Sequence, residues 1–155
     1  MKRDEIETYW QEFLSTLPEG SPYRAKSYTA EGWGDGPEMA DRLGTLIVNG
    51  AKTATCSSLW EWEAEDESPP ETGTVTIVLD GRGRPIGIVE TTEVTIRKYN
   101  EVDADFAREE GEGDLSLRYW QEAHKNFFSH SLLEIGAEFS EEMPLVCERF
   151  RLIYK

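Results

Sequence analysis

The sequence predicts an α+β fold, a small sheet with helices on its flank. Three observations lead there. Segments with helical and with strand periodicity follow the order helix, helix, strands, helix, helix, strand. No regular βαβ rhythm joins them, which excludes a doubly wound parallel sheet. The 155 residues carry five Trp, six Tyr and six Phe, enough for one domain over 1–155 with a core of its own. The order suits a small barrel with flanking helices; the pattern alone does not tell whether the sheet closes.

Residues 4–16 are read as a helix, because Ile6, Tyr9, Trp10, Phe13 and Leu14 recur at three- and four-residue steps. Pro18 and Gly20 end it. Residues 21–34, rich in Ser, Tyr and Gly, are read as loop. Asp35 is the candidate cap of a second helix, with Pro37 in its first turn and Met39, Leu43, Leu46 and Ile47 as its apolar stripe. Gly50 terminates it, since glycine accepts a left-handed conformation cheaply. Strand character follows in TATCSS, then an acidic, proline-bearing loop in EWEAEDESPPETG. TVTIVLD alternates as a strand does, DGRGRP is a turn, and PIGIVETTEVTIRKY offers one long strand or two with a break near Glu90–Glu93. A short helix around Ala104–Arg108 and a longer one over about Leu115–Phe128, with Asp114 as candidate cap, precede the final strand PLVCERFRLIY. In that strand Val146, Phe150, Leu152 and Tyr154 share one parity.

Charge narrows the function classes. Thirty-one Asp and Glu against 16 Lys and Arg give a formal charge of −15. Such a field disfavours sequence-blind binding to long duplex nucleic acid, which depends on many cationic contacts to phosphate. Cys56 and Cys147 lie far apart, with no C-x-x-C and no Cys/His cluster, so reduced thiols in a cytoplasmic protein and no metal are expected. The N-terminus MKRDEIETYW lacks the apolar stretch of a signal peptide, and no segment is long enough to span a bilayer.

One cation then stands out. Lys52 sits in NGAKTATCSS, between an apolar helix and a run of small hydroxyl residues. This is no phosphate-binding P-loop, which needs an earlier Gly, a Lys followed by Ser or Thr, and a preceding strand. On physical grounds alone Lys52 complements the negative end of the helix that Gly50 caps.

NGAKTATCSSLW, followed by AREEGEGDLSLRYWQEAHKNFF and by MPLVCERFRLIY, resembles the ASCH domain family of the PUA-like superfamily, and in particular its bacterial single-domain members. The hallmark G-x-K-x-x-T is matched by Gly50, Lys52 and Thr55, and the resemblance runs from about Trp33 to Tyr154. It implies a small PUA-like β-barrel of about five to six strands with flanking helices and a cleft around the motif lysine. It also implies RNA or a nucleoside-like small molecule as ligand, and no cofactor.

Two activities of that family map onto this chain in different degrees. One branch hydrolyses the amide of N4-acetylcytidine with a Thr–Lys–Glu device. Its positions are matched by Lys52, Thr55 and Glu110. A desolvated, neutral lysine can take the threonine proton and make the hydroxyl a nucleophile. The other branch cleaves RNA with the motif lysine, a tyrosine and a serine. Lys52 and Ser116 match, but Leu46 stands where the tyrosine is expected. There is a steric condition on the first device. On a regular strand residues three apart point to opposite faces, so Lys52 and Thr55 converge only across a bend, and Thr53 is the rival.

Glu109, Glu110, Glu112 and Asp114 crowd one segment. A solvated acidic loop explains them, unless Lys52 is buried, when Glu110 or Glu112 is the counter-charge it requires. Trp120 and His124, four apart on the predicted helix, read as a core-facing stripe with His124 hydrogen-bonded at its edge, or as ligand contacts. Trp33 and Trp60 flank the motif in predicted loops, where tryptophan either stacks on nucleobases or covers the core. Thr53 and Ser57 complete the candidate ligand contacts.

Overall fold

The computed structural model describes residues 2–155. The chain divides into two compact units. The first comprises the chain up to Gly50 with Gly73–Thr91 and Arg151–Lys155, and the second Ala51–Thr72 with Thr92–Phe150. Five strands, β1 Thr29–Glu31, β2 Ala54–Ser58, β3 Val75–Leu79, β4 Pro85–Lys98 and β5 Pro144–Tyr154, form a sheet in the order β1-β3-β4-β5-β2. With the helices below, the class is α+β, and the strand number agrees with the sequence expectation.

The first unit is built on α1 (Lys2–Ser15) and α2 (Pro37–Val48). The helical stripe of α1 buries Trp10, Phe13 and Leu14 against Val75, Ile77 and Ile88. β3 and β4 make an antiparallel hairpin, closed by a turn in which the Asp80 carboxylate accepts from the backbone N–H groups of Arg82 and Arg84 at 2.8 and 3.0 Å. Two details depart from the sequence reading. Residues 29–31, taken for loop, are β1 and pair in parallel with β3. Thr29 and Ala30 carry little apolar signal, so pairing rather than periodicity makes the strand. The cap of α2 is Gly36 at φ +88°, not Asp35, and it offers no side-chain acceptor. Pro37 needs no such acceptor for its own nitrogen. Gly50 does end the segment with φ +85°.

The second unit holds α3 (Leu59–Ala64), α4 (Ala104–Glu110) and α5 (Leu117–Ser131). Its core gathers Ala54, Tyr99, Phe106, Trp120, Phe128, Met143, Leu145 and Cys147. β2 runs antiparallel to β5 in unbroken register, Ala54 opposite Arg149 through Ser58 opposite Leu145. The acidic stretch read as loop begins in fact as α3, where Trp60 packs on the core and the Trp62 indole N–H donates to Ser57 Oγ at 2.9 Å. Asp103 caps α4, its carboxylate accepting from Phe106 N–H at 2.8 Å. Ser116 rather than Asp114 caps α5, its Oγ accepting from Tyr119 N–H at 3.0 Å, while Asp114, two residues before it, accepts from Ser116 N–H.

Candidate functional site

The segment that carries Lys52 is placed by the C-terminal end of α4. Thr53 N–H donates to Glu109 O at 2.8 Å, and Phe150 N–H donates to Thr53 O at 3.0 Å, pinning the segment between helix and β5. Gly111 makes this approach possible. It ends α4 at φ +73°, and a Cβ there would lie 2.3 Å from Ala51 O. The lysine side chain therefore enters under the helix end, where free carbonyls and the helix dipole favour a cation.

Lys52 is 2% exposed. Its ammonium donates to Glu110 Oε1 at 2.9 Å, Glu112 Oε2 at 3.1 Å and Glu110 O at 3.3 Å. An ammonium has three protons, and three acceptors take them. Burial alone lowers the lysine pKa, but the Glu110 and Glu112 carboxylates outweigh it, and the net shift is upward. Lys52 is thus held charged.

Glu110 is the hub. It is 1% exposed, yet accepts from Lys52, from the Trp120 indole N–H at 2.5 Å on Oε2, and faces His124 Nε2 at 3.3 Å. Burial pushes its pKa up; the Lys52 and His124 charges overcome this and hold the carboxyl well below its ordinary range. The other nitrogen of His124, Nδ1, lies 2.8 Å from Trp120 O. Both ring nitrogens thus face acceptors, a demand that only the imidazolium meets. Burial works against that charge, but Glu110 outweighs it and the His124 pKa is raised. The ring also stacks on Trp120, with centroids 4.2 Å apart and planes 19° from parallel. Two cations and two carboxylates form one buried, neutral quartet. Only its outer members reach solvent, the side chains of Glu112 at 18% and His124 at 14%.

Several residues named from sequence are brought together: Lys52, Glu110, Glu112, Trp120 and His124. The others go elsewhere. β2 is regular, with Ala54 and Ser58 buried on one face, so alternation turns Thr55 away from Cys56 to the opposite face. The bend that would bring Thr55 toward Lys52 is absent from the strand. Thr53 is exposed, its hydroxyl 3.4 Å from Glu109 O. Ser57 is taken by Trp62, Ser116 is a helix cap, and Trp60 covers the core. Trp33 belongs to the first unit, where it lies near Glu31.

Sequence reasoning missed Cys56 and the Glu93–Arg149–Glu109 bridge. Cys56 shares the parity of Lys52 across the strand start, the one signal that could have placed it near Glu110. Arg149 bonds Glu93 and, at 2.8 Å, Glu109, so Glu109 faces away from the lysine. Ligand atoms of Cys56, Glu110 and His124 lie within 4.8 Å of one another, a spacing compatible with a metal. In the arrangement seen, Lys52 and His124 already supply the positive charge that a metal would bring.

Comparison with known proteins agrees with the motif resemblance. The sequence model of the ASCH domain family matches residues 30–154. An ASCH domain crystal structure from Lactobacillus crispatus JV V101 is 37% identical, covers 98% of this chain and 96% of its own, and superposes with a TM-score of 0.93. A protein from Enterococcus faecalis V583 is 38% identical over 97% of this chain and 89% of its own, with a TM-score of 0.84. An ASCH protein from Zymomonas mobilis, at 13% identity, 80% and 66% coverage and a TM-score of 0.50, shares the fold alone. A comparison with curated proteins gives no match.

Proposed function

The chain belongs to the ASCH domain family, and from that premise we propose that it binds a nucleoside or a short single-stranded RNA end at the Lys52 quartet, with Glu112 and His124 as the groups that meet the ligand. The observation that carries this reading is the buried Lys52 ammonium held by two carboxylates, one of them at the surface. A lysine neutralised in this way is a poor partner for phosphate. Its work is to fix Glu112, whose carboxylate then offers a rigid acceptor near the partly exposed ring of His124. A carboxylate acceptor suits the N–H groups on the hydrogen-bonding edge of a nucleobase and repels a phosphate chain. A net charge of −15 adds to the preference for a ligand with few phosphates.

The amidohydrolase reading finds less support. It needs Lys52 to lose a proton that two carboxylates hold in place, and Thr55 to leave the opposite face of β2. The ribonuclease reading needs Ser116, whose oxygen is engaged as a cap, and a tyrosine that the sequence lacks.

The test is a titration with nucleosides and short oligonucleotides, read by the fluorescence of Trp120 and its neighbours. Glu112→Gln keeps the shape of the side chain and removes its charge. A loss of affinity of about tenfold or more is expected, the scale of one charged hydrogen bond. Equal affinity of the variant and the native chain would remove Glu112 from the site, and no binding by the native chain would reject the reading.

A further inference from the structure

The two cysteines lie directly opposite each other, Cys56 on β2 against Cys147 on β5. The kind of pair follows from the ladder. Phe150 N–H donates to Thr53 O, which makes 53 and 150 a hydrogen-bonded pair in the continuation of the same register. Hydrogen-bonded and non-hydrogen-bonded pairs alternate along an antiparallel ladder. Stepping inward, 54 and 149 are non-hydrogen-bonded, 55 and 148 hydrogen-bonded, and Cys56 and Cys147 non-hydrogen-bonded. In such a pair the Cα atoms stand about 4.5 Å apart and the side chains are at their closest. Disulfides span Cα separations of about 4.4 to 6.8 Å, so the pair falls within reach without a shift of either strand. Both side chains also sit on one face, since both pack in the same core cluster.

Both thiols are free in the structure. They differ in access: Cys56 is half-buried and Cys147 is buried. Cys56 borders the quartet, its Sγ within 4.8 Å of ligand atoms of Glu110 and His124.

We infer that Cys56 and Cys147 are a reversible cross-strand disulfide site, oxidised by a small-molecule disulfide of the glutathione type. Cys56, the more accessible, is the entry point. Its thiolate attacks one sulfur of the oxidant, forming a mixed disulfide and releasing one thiol. Cys147, deprotonated in turn, attacks Cys56 Sγ, forming the protein disulfide and releasing the second thiol. Two protein thiols are oxidised and one small disulfide is reduced to two thiols. Burial raises both cysteine pKa values, Cys147 to about 12, so the exchange is slow and the pair rests reduced. Closing the bond changes the group that borders Glu110 and His124, which ties oxidation to the quartet.

The test uses the full chain held with excess glutathione disulfide, followed by intact mass and by alkylation under denaturing conditions. The expected product is a monomer lighter by two hydrogens, free of glutathione adduct, without alkylatable thiols, and restored by dithiothreitol. In Cys147→Ser the reaction should stop at a single glutathione adduct on Cys56. The inference is overturned if the native chain ends as a stable glutathione adduct or as a disulfide-linked dimer. It is equally overturned if both thiols stay alkylatable under conditions that oxidise the urea-unfolded chain. The native-chain arms decide the matter even if the serine variant fails to fold.

Discussion

Lys52 Nζ and Glu110 Oε1 stand 2.9 Å apart with both side chains almost wholly removed from water. A pair of this kind is a poor source of net stability, because desolvation offsets the attraction, but it is costly to break. Lys52→Met leaves Glu110 with His124 as its remaining cation, and Glu110→Gln leaves Lys52 with Glu112. Each substitution should lower the free energy of unfolding by about 3 to 5 kcal/mol. The double variant should cost far less than the two losses combined, since neither orphan is then left. Urea unfolding of the four proteins closes the cycle. Additivity within about 0.5 kcal/mol would show the two groups to be uncoupled.

The quartet also fixes the direction of pH dependence. The His124 pKa lies above its ordinary 6.5 in the folded chain, through Glu110 and despite burial. Its contribution is therefore complete below about 6.5 and lost as pH rises through the folded value. Glu110 behaves in the opposite sense. Its depressed pKa gives stability that is present above the ordinary 4.5 and lost as pH falls. Thermal unfolding between about pH 5 and pH 9 should show a decline on the alkaline side that His124→Gln abolishes. The ring proton signals of His124 should titrate above the ordinary 6.5. A His124 titration below 6.5 would contradict the imidazolium assignment.

How far this was legible in sequence depends on the kind of signal. α1, α4 and β3 are visible because periodicity is local, and Gly50 and Pro37 punctuate α2 from positions only they suit. The carboxylate partners of Lys52 were narrowed to Glu110 or Glu112, and both serve, because a buried ammonium needs more than one acceptor. What stayed hidden is long-range. β1 becomes a strand only when β3 lies beside it, and three residues with one apolar side chain carry no period. Glu109 cannot be told from Glu110 by composition; the helical turn that aims one at Arg149 and the other at Lys52 separates them. The hydroxyl of Thr55 looked available because the motif names it, whereas its face is set by where β2 begins. His124 reads as a core residue with an edge hydrogen bond, and it is that, but its second nitrogen meets the carboxylate of Glu110, which lies at the end of α4, seven residues before α5 begins.

Ser116 separates a capping role from a chemical one. Its Oγ accepts from Tyr119 N–H and so satisfies one of the free donors at the start of α5. Ser116→Ala should destabilise the chain by about 1 kcal/mol. Ser116→Asp, also a good cap, should recover most of that loss. Ligand affinity, measured as for Glu112→Gln, should change less than about twofold, well under the effect of one hydrogen bond. Preserved stability with affinity lost would place Ser116 in the site instead.

Gly111 is where the site and the fold meet most tightly. Its φ of +73° suits glycine, and a Cβ there would lie 2.3 Å from Ala51 O and 3.0 Å from Lys52 Cα. Gly136 provides the internal control: its φ is +71°, and nothing lies within 4 Å of its Cβ. Gly136→Ala should then cost only the left-handed backbone penalty, about 1 kcal/mol. Gly111→Ala carries the same penalty and must also push the Ala51–Lys52 segment off the end of α4, so its cost should exceed the control by about 2 kcal/mol or more. The displacement has a local signature. Thr53 N–H, which donates to Glu109 O at 2.8 Å, should lose hydrogen-exchange protection in Gly111→Ala and keep it in Gly136→Ala. Equal costs in the two variants, with Thr53 equally protected, would mean that the segment carrying Lys52 is not held by its approach to Gly111.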